Sequence, residues 1–431
     1  MINEAKIPLY DMVLSLSNAM DWLNPALVEH HNMVAYTAYQ IAVELGLPDD
    51  LQSELVLAGA LHDSGALSLQ TRMDAIEFEA PEETGDIQEH ADLGFRLLKD
   101  FEPFTNAALI IRYHHLPWQD YLKNASETAV PVGAHILHLA DRIAVLVDRN
   151  REILGQVPEI VARIEARSGT AFGPQFVEAF KRLTPKEYFW FDMVSPSVGA
   201  ILSRSARLPR VELVPDELLK LAKLFAHIID FRSPFTATHS SGVAASAEAL
   251  AHLMGFSERE CQMMHIAGYL HDLGKIAVPN EILEKPGPLT LDEVRTVRCH
   301  TYHIFRVLEP IADLKTVNEW ASFHHEYLNG RGYPFKHKAG DLSLGSRVMA
   351  VADVLTAVTE QRPYRDGMAR EGALECMKDM AESNALDARV LSALMANFDD
   401  VNTIRRRAQL AAIGEYQTFR GDAAPGAWEP Q

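Results

Sequence analysis

The sequence predicts an all-α protein built by tandem duplication of one helical domain, and three observations carry that expectation. Apolar residues recur at helical spacing along most of the 431 residues. No stretch alternates as a half-buried strand would. A set of histidines and aspartates recurs at matched spacing in both halves: His30 to His62 and His239 to His271 each span 32 residues (62 − 30 and 271 − 239).

The elements follow in order. Residues 9–29 read as an amphipathic helical lead-in. HHNMVAYTAYQIAVELGLP, from His30, is a helix stopped by Gly46 and Pro48. DDLQSELVLAGALHDSG begins on Asp49-Asp50 and runs to His62-Asp63. Further helices are expected at 88–100, 104–115 and 131–150. A polar, glycine-containing gap near 165–174 and the segment Thr184 to Arg210, with Pro185, Pro196 and Pro209, punctuate the middle. DELLKLAKLFAHIIDF (216–231) opens another amphipathic helix, and SPFTATHSSGVAASAEALAHLMGF and SEREC…AGYLHDLGK follow. From about Val401 the chain reads as a basic-then-apolar helix and a mobile Gly/Pro/Ala tail.

Setting His30 on His239 brings Val34 onto Val243, Gly46 onto Gly255, His62-Asp63 onto His271-Asp272 and Gly65 onto Gly274. After a one-residue slip His90 falls on His300, with Phe95-Arg96 on Phe305-Arg306. A further 24 residues (114 − 90 and 324 − 300) lead to His114-His115 and His324-His325, and Ala140-Asp141 falls on Ala352-Asp353. The expected domains are 1–205 and 206–400, with a C-terminal helix and tail over 401–431.

Composition narrows the function. The chain is 48% hydrophobic and 23% charged, which suits a globular protein. No apolar run reaches the roughly 18 residues of a membrane helix, and MINEAKIPLYDM lacks the basic-then-apolar plan of a signal peptide. Cys261, Cys299 and Cys376 lie far apart and read as buried thiols of a reducing cytoplasm. A net charge of −19 argues against binding a nucleic-acid polymer and leaves open an anionic small molecule met by locally concentrated cations.

Imidazole and carboxylate are ligands for borderline divalent metals. His239, His271, Asp272, His300, His324, His325 and Asp353 are too many for one ordinary site and suit two ions that share a carboxylate. Asp272, beside His271 and before the turn at Gly274, suits the bridge between metals roughly 3.5–4 Å apart. A water between such ions would lose a proton near neutral pH and become a nucleophile. Any one of these histidines, taken alone, is more commonly a core or surface residue; the set at this spacing is not. Lys275, directly after Gly274, is a candidate cation for an anionic substrate.

HDLGK from His271, HHEYLNGRGYP from His324 and GSRVMAVADVLTAVTEQRPYR from Gly345 resemble the HD-GYP subgroup of the HD phosphohydrolases over roughly residues 215–400. The first half resembles the wider HD superfamily only. The resemblance implies a helical protein with a di- or trinuclear centre, commonly iron or manganese, that hydrolyses cyclic dinucleotides such as c-di-GMP or 3′3′-cGAMP to the linear 5′-phosphorylated dinucleotide. It gives one metal to His239, His271, Asp272 and Asp353, and the other to Asp272, His300, His324 and His325. It makes Asp272 and Lys275 catalytic and brings Lys275, Arg362, Arg365, Gly332 and Tyr333 to the substrate. Arg306 and Arg347 are read instead as structural ion pairs. Family members with three metals carry a Glu four residues before the first histidine; Phe235 stands there, so two divalent ions are expected. Tyr327 and Asn329 depart from the common HHERxDG form of the loop.

The first copy keeps His30, His62, Asp63, His90, His114, His115 and Asp141, which makes it a candidate second metal site. It has Ala66 where Lys275 stands, Leu116-Pro117-Trp118 in place of the glycine-tyrosine-proline loop, and no RPYR run after Asp141. No hydrolysis is expected there, and its role is read as regulatory or structural. The expected partner is a small cyclic dinucleotide, with no membrane; a homodimer is compatible with the sequence but not specified by it. Two further readings stay open: an HD-type nucleotidase or phosphomonoesterase, and a non-catalytic cyclic-dinucleotide-binding adaptor.

Overall fold

The computed structural model describes residues 7–22, 28–66, 85–124, 129–206, 208–209, 211–232, 236–285, 287–360 and 367–421. The chain divides into two compact helical units, Pro8–Glu212 and one made chiefly of Leu213–Gln431. The first contains α1 (Leu9–Asp21), α2 (His30–Glu44), α3 (Asp49–Leu61), α4 (Gly85–Leu98), α5 (Thr105–Arg112), α6 (Trp118–Asn124) and α7 (Val132–Val145). After these come α8 (Val157–Glu165), α9 (Pro174–Leu183), α10 (Glu187–Met193) and α11 (Val198–Ser205). The second contains α12 (Pro215–Asp230), α13 (His239–Leu253), α14 (Glu258–Leu270), α15 (Asn280–Leu283), α16 (Leu291–Leu308) and α17 (Lys315–Ser322). It ends with α18 (Leu344–Thr359), α19 (Arg370–Glu382), α20 (Ala388–Ala396) and α21 (Phe398–Arg420). No helix among the described residues is long and apolar enough to cross a membrane.

The duplication holds at the level of elements. α2 and α13 are each 15 residues long, α3 and α14 each 13, and α5 and α17 each 8. α2 packs on α3 and α7, as α13 packs on α14 and α18. Gly46 and Gly255 end α2 and α13 in the left-handed region (φ +66° and +82°), where a side chain would be strained. In α14 the start is set by a capping box: Ser257 accepts from the Glu260 amide while Glu260 accepts from the Ser257 amide at 2.8 Å.

One glycine in each copy controls how closely these helices meet. A Cβ on Gly59 would lie 2.5 Å from Ala35 Cα, and one on Gly268 2.4 Å from Ala244 Cα. Helical backbones therefore touch just before His62 and His271, and the touch sets where those histidines emerge. Gly268→Val is expected to destabilise the second domain by about 1–3 kcal/mol through overpacking, read as a lowered thermal midpoint. A midpoint equal to that of the parent protein would refute the close-approach account.

Four features differ from the sequence expectation. Two-residue strands, β1 (Ile7–Pro8) and β2 (Glu212–Leu213), pair with one another, too short to leave an alternating pattern. The Pro-punctuated stretch after Thr184 contains α10 and α11; Phe189, Trp190 and Met193 of α10 are buried, so packing rather than periodicity makes this short helix. Of the three cysteines only Cys261 is buried, whereas Cys376 is half-buried and Cys299 is exposed on the outer face of α16. The last helix starts at Phe398 and packs along α13, burying Val401, Arg405, Ala412 and Phe419; the expected mobile tail lies outside the described residues.

His135 gives the first domain a pH dependence. Its ring packs against Trp118, Tyr121 and Phe176, with centroids 5.0, 4.7 and 6.3 Å away, and burial pushes its pKa down to about 4. An unfolded imidazole titrates near ~6.5, so between the two values the unfolded chain holds the extra proton. The stability is then fully present above the unfolded pKa and is lost as pH falls toward the folded one. His135→Phe is expected to flatten the fall in melting temperature between about pH 7 and 5; a slope unchanged from the parent would count against it.

Candidate metal centre

Seven polar residues of the second domain converge from five places in the chain. His239 opens α13, His271 and Asp272 follow α14, His300 lies in α16, His324 and His325 follow α17, and Asp353 projects from α18. The turn after Asp272 brings chain against chain, because a Cβ on Gly274 would fall 2.0 Å from the His300 carbonyl oxygen. Asp272 Oδ2 then lies 3.3 Å from His271 Nε2 and 3.6 Å from His239 Nε2, while its Oδ1 lies 3.6 Å from His300 Nε2. Asp353 Oδ1 is 3.4 Å from His239 Nε2 and 3.8 Å from His271 Nε2, and its Oδ2 is 3.8 Å from His325 Nδ1. Donor atoms gather within 4.8 Å in three overlapping groups: His239, His271 and Asp353; His271, Asp272 and His324; and His300, His324 and His325.

The imidazoles are oriented by the backbone. Nδ1 of His271, His300 and His324 lies 2.7, 2.6 and 2.6 Å from the carbonyl three residues earlier (Gly268, Val297 and Ala321). A carbonyl only accepts, so Nδ1 carries the proton and Nε2 presents its lone pair to the centre. His300 Nε2 and His324 Nε2 consequently face one another at 3.3 Å with no proton between them. His271 Nε2 is buried without a hydrogen-bond partner. Opposed lone pairs and an orphaned nitrogen beside two carboxylates are what a cation would satisfy. The residues fit a divalent metal.

Electrostatics keep the donors in the ligating form. Burial lowers the pKa of His300 and His325 to about 3, and burial with the neighbouring His325 holds His324 well below its usual value, so all three are neutral at pH 7. Burial alone would raise Asp272, but the fields of His271, Lys275 and His239 overcome it and hold the carboxyl well below the ordinary range. Asp353 is likewise depressed, by a hydrogen bond from His239 and by His325, His324 and His271 acting against burial. Lys275 Nζ lies 2.6 Å from Asp272 Oδ2, on the carboxylate that faces both sets of histidines.

Glu360, which the sequence reading did not single out, supports this shell. Its Oε2 is 3.1 Å from His239 Nδ1, and its Oε1 accepts from Thr238 Oγ1 at 2.9 Å and Gln409 Nε2 at 3.1 Å. A carboxylate behind a ligating imidazole sets its orientation and raises its basicity. Glu360→Gln is expected to weaken metal binding on the order of 10-fold or more while leaving the fold intact. Chelator competition measures this, and an unchanged dissociation constant would remove Glu360 from the metal shell.

The glycine-tyrosine-proline loop is built around the histidine pair. Tyr333 N donates to the His325 carbonyl at 3.1 Å, and the Tyr333 and His325 rings lie 4.9 Å apart. Gly332 sits so close to the chain after His325 that a Cβ would fall 2.4 Å from Tyr327 N. Buried Glu326 holds the loop's far side, accepting from the amides of Phe335, Lys336 and His337 at 2.6–3.1 Å. The exposed Arg298 guanidinium stands 4.9 Å over the Tyr333 ring, an exposed cation at the site that the motif spacing did not reveal. Arg306 pairs with Glu309 at 2.6 Å and Arg347 with Asp387 at 2.8 Å. Arg362, Arg365 and Phe235 lie outside the described residues.

The first domain brings its own seven residues together: His30, His62 and Asp63 form one close group, and His90, His114 and His115 another. Asp141 Oδ1 lies 3.3 Å from His30 Nε2.

Comparison with known proteins agrees with this architecture. Residues 27–146 and 223–390 each match a family model described as an HD domain. The chain is 30% identical over 403 residues to 3'3'-cGAMP-specific phosphodiesterase 1 of Vibrio cholerae, covering 91% of this chain and 93% of that protein. A cyclic di-GMP phosphodiesterase of Pseudomonas aeruginosa is 37% identical over 183 residues, 42% of each chain. The crystal structure of a cyclic GMP-AMP-specific phosphodiesterase of V. cholerae shares the fold, with a TM-score of 0.65 at 24% identity over 92% of this chain and 98% of that one. The chain belongs to the HD phosphohydrolase superfamily. Within it, this hydrolase is related over both of its domains to the cyclic-dinucleotide phosphodiesterases of the HD-GYP type.

Proposed function

We propose that the second domain hydrolyses 3′3′-cGAMP, opening one 3′–5′ phosphodiester to leave a linear dinucleotide with a 5′-phosphate. The observation that carries this reading is Asp272, whose two oxygens face different histidine sets, as a carboxylate shared by two ions would. Two divalent ions, iron or manganese, would be held by His239, His271, Asp272 and Asp353 and by Asp272, His300, His324 and His325, and when bound would supply Lewis acidity and activate a water as nucleophile. His239 is held in line by Glu360, and the neutral imidazoles of His300, His324 and His325 keep their lone pairs inward. Lys275 brings a positive charge to the edge of the centre, where charge accumulates on the phosphoryl oxygens. Arg362 and Arg365 are assigned to the substrate phosphates, for which guanidinium forks are suited. Water oxygen bonds to phosphorus, the P–O3′ bond breaks, and the departing 3′-oxygen takes up a proton.

The substrate choice draws support from the relative that aligns over both domains, a 3'3'-cGAMP-specific enzyme. The cyclic di-GMP phosphodiesterase of P. aeruginosa aligns over 42% of the chain, which makes c-di-GMP the comparison substrate. Protein purified anaerobically and supplied with ferrous iron or manganese is expected to convert 3′3′-cGAMP faster than c-di-GMP and far faster than 5′-GMP. Faster release of phosphate from 5′-GMP would select a phosphomonoesterase. Binding with no product in the chromatogram would select an adaptor.

A further inference from the structure

The last helix of the chain reaches the shell around the metal ligands. α21 packs along α13, and Gln409 of α21 donates from Nε2 to Glu360 Oε1 at 3.1 Å. One turn earlier, buried Arg405 donates from Nη1 to Gln409 Oε1 at 2.6 Å. Arg405 is itself fixed, its Nε and Nη2 donating to Asn402 Oδ1 at 3.0 and 2.8 Å. An amide whose oxygen is taken by a guanidinium presents its NH2 group to the carboxylate. The other oxygen of Glu360 lies 3.1 Å from His239 Nδ1, and His239 Nε2 lies 3.4 Å from Asp353 Oδ1 and 3.6 Å from Asp272 Oδ2. A continuous chain of polar contacts therefore runs from Arg405 to both carboxylates of the centre.

α13 is shaped to admit Gln409. Gly242 lies one turn after His239, and a Cβ there would fall 3.0 Å from Gln409 Nε2 and 3.1 Å from its Cδ and Cγ. Glycine is disfavoured inside a helix, and here its missing side chain makes the space that Gln409 fills. The equivalent positions of the first domain carry neither part. Gly242 corresponds to buried Met33, and Glu360 to Asp148, which is exposed and accepts from the Asn150 amide at 2.9 Å. The segment matched to the HD-domain model ends at residue 390, before α21 begins.

The far end of α21 is tied down separately. Glu415 pairs with Lys223 at 2.6 Å and with His227 at 3.3 Å, and the Phe231 ring of the α12 C-terminus lies 5.3 and 5.1 Å from Tyr416 and Phe419. Loss of the Gln409 contact therefore leaves the helix anchored.

We propose that the C-terminal helix is a working part of the second-domain centre, with Gln409, aligned by Arg405, as a positioning residue that holds Glu360 on His239. Glu360 orients the imidazole, and Gln409 fixes the carboxylate in the place from which it does so. The role presupposes the metal centre on which the proposed reaction rests.

The test uses the full-length protein and manganese in chelator competition, a readout separate from turnover. The manganese held by the parent protein and missing from the His271→Ala, Asp272→Ala variant reports the second-domain centre. Gln409→Met keeps the length of the side chain and the helix but removes the donor. It is expected to weaken that manganese by about fivefold, less than the roughly 10–100-fold of a residue bonded directly to a ligand. In a Glu360→Gln background the same change is expected to cost no more than about twofold, because the link it acts through is already broken. Arg407→Ala, on the exposed side of α21, is expected to leave the affinity unchanged. Equal affinity in Gln409→Met and the parent would overturn the proposal. So would a full loss repeated in the Glu360→Gln background, which would mean that Gln409 acts by docking the helix. No manganese lost on His271→Ala, Asp272→Ala would overturn the metal centre itself and this role with it. Should Gln409→Met not fold, Gln409→Ala removes the same donor and is read by the same outcomes.

Discussion

The double substitution His271→Ala, Asp272→Ala abolishes turnover and empties the second-domain centre: that is the largest effect expected of any change in this protein. Asp272 is the carboxylate that faces both histidine sets, and His271 is the buried imidazole whose Nε2 has no hydrogen-bond partner. Removing both leaves His239, Asp353 and the 300s histidines divided between two incomplete sets, and incomplete sets bind divalent ions weakly. In the proposed reaction, bound ions would bring most of the activation of water and much of the stabilisation of phosphoryl charge. The expected loss is therefore at least about 10⁴-fold, beyond the effect of any single polar contact. Asp272→Asn provides the shape-conserving control against misfolding. Turnover persisting in the double variant, with the fold intact by circular dichroism, would place the chemistry elsewhere.

Lys275→Ala separates metal binding from catalysis. The ammonium stands 2.6 Å from Asp272 Oδ2, so deleting it removes a positive charge that competes with cations for that carboxylate. Metal content is expected to stay the same or rise, because the change removes repulsion between Nζ and the ions. Turnover is expected to fall by about 10²-fold, equivalent to about 2.7 kcal/mol of transition-state stabilisation. The loss should appear mainly in kcat if the charge acts on the developing phosphoryl charge rather than on the ground state. Metal lost from the lysine variant would reassign Lys275 to holding the centre together.

Much of this molecule is legible in its sequence because helix periodicity and the spacing of ligand-type residues are properties of one chain. Helix periodicity and stops are local properties, so the runs from His30, Asp49, Asp216 and Asn402 could be read without neighbours. Ligand-type residues at matched spacing report the duplication because each copy must return its chain to one point through helices of fixed length. The stretch from Thr184 to Arg210 misled for the opposite reason. Its helices are short and owe their existence to burial of Phe189 and Trp190, and prolines dominate the local pattern. Cys299 was expected inside, yet it lies on the solvent side of a helix whose next residue, His300, points inward.

The sequence by itself determined the helical class, the tandem repeat, the histidines and aspartates that meet in each half, and the absence from the first of a lysine after the His-Asp pair and of the RPYR run. These follow from residue type and separation along one chain. Only the tertiary structure decided that Glu360 stands behind His239, 121 residues away, and that Lys275 rests on Asp272. It alone set His31 against Asp21 across the break between two helices, and turned Arg142 onto Asp141 rather than outward. The physical reason is direction. Spacing says which residues reach a place, but where an imidazole points, and what neutralises a buried carboxylate, depends on carbonyls and charges brought in by other helices.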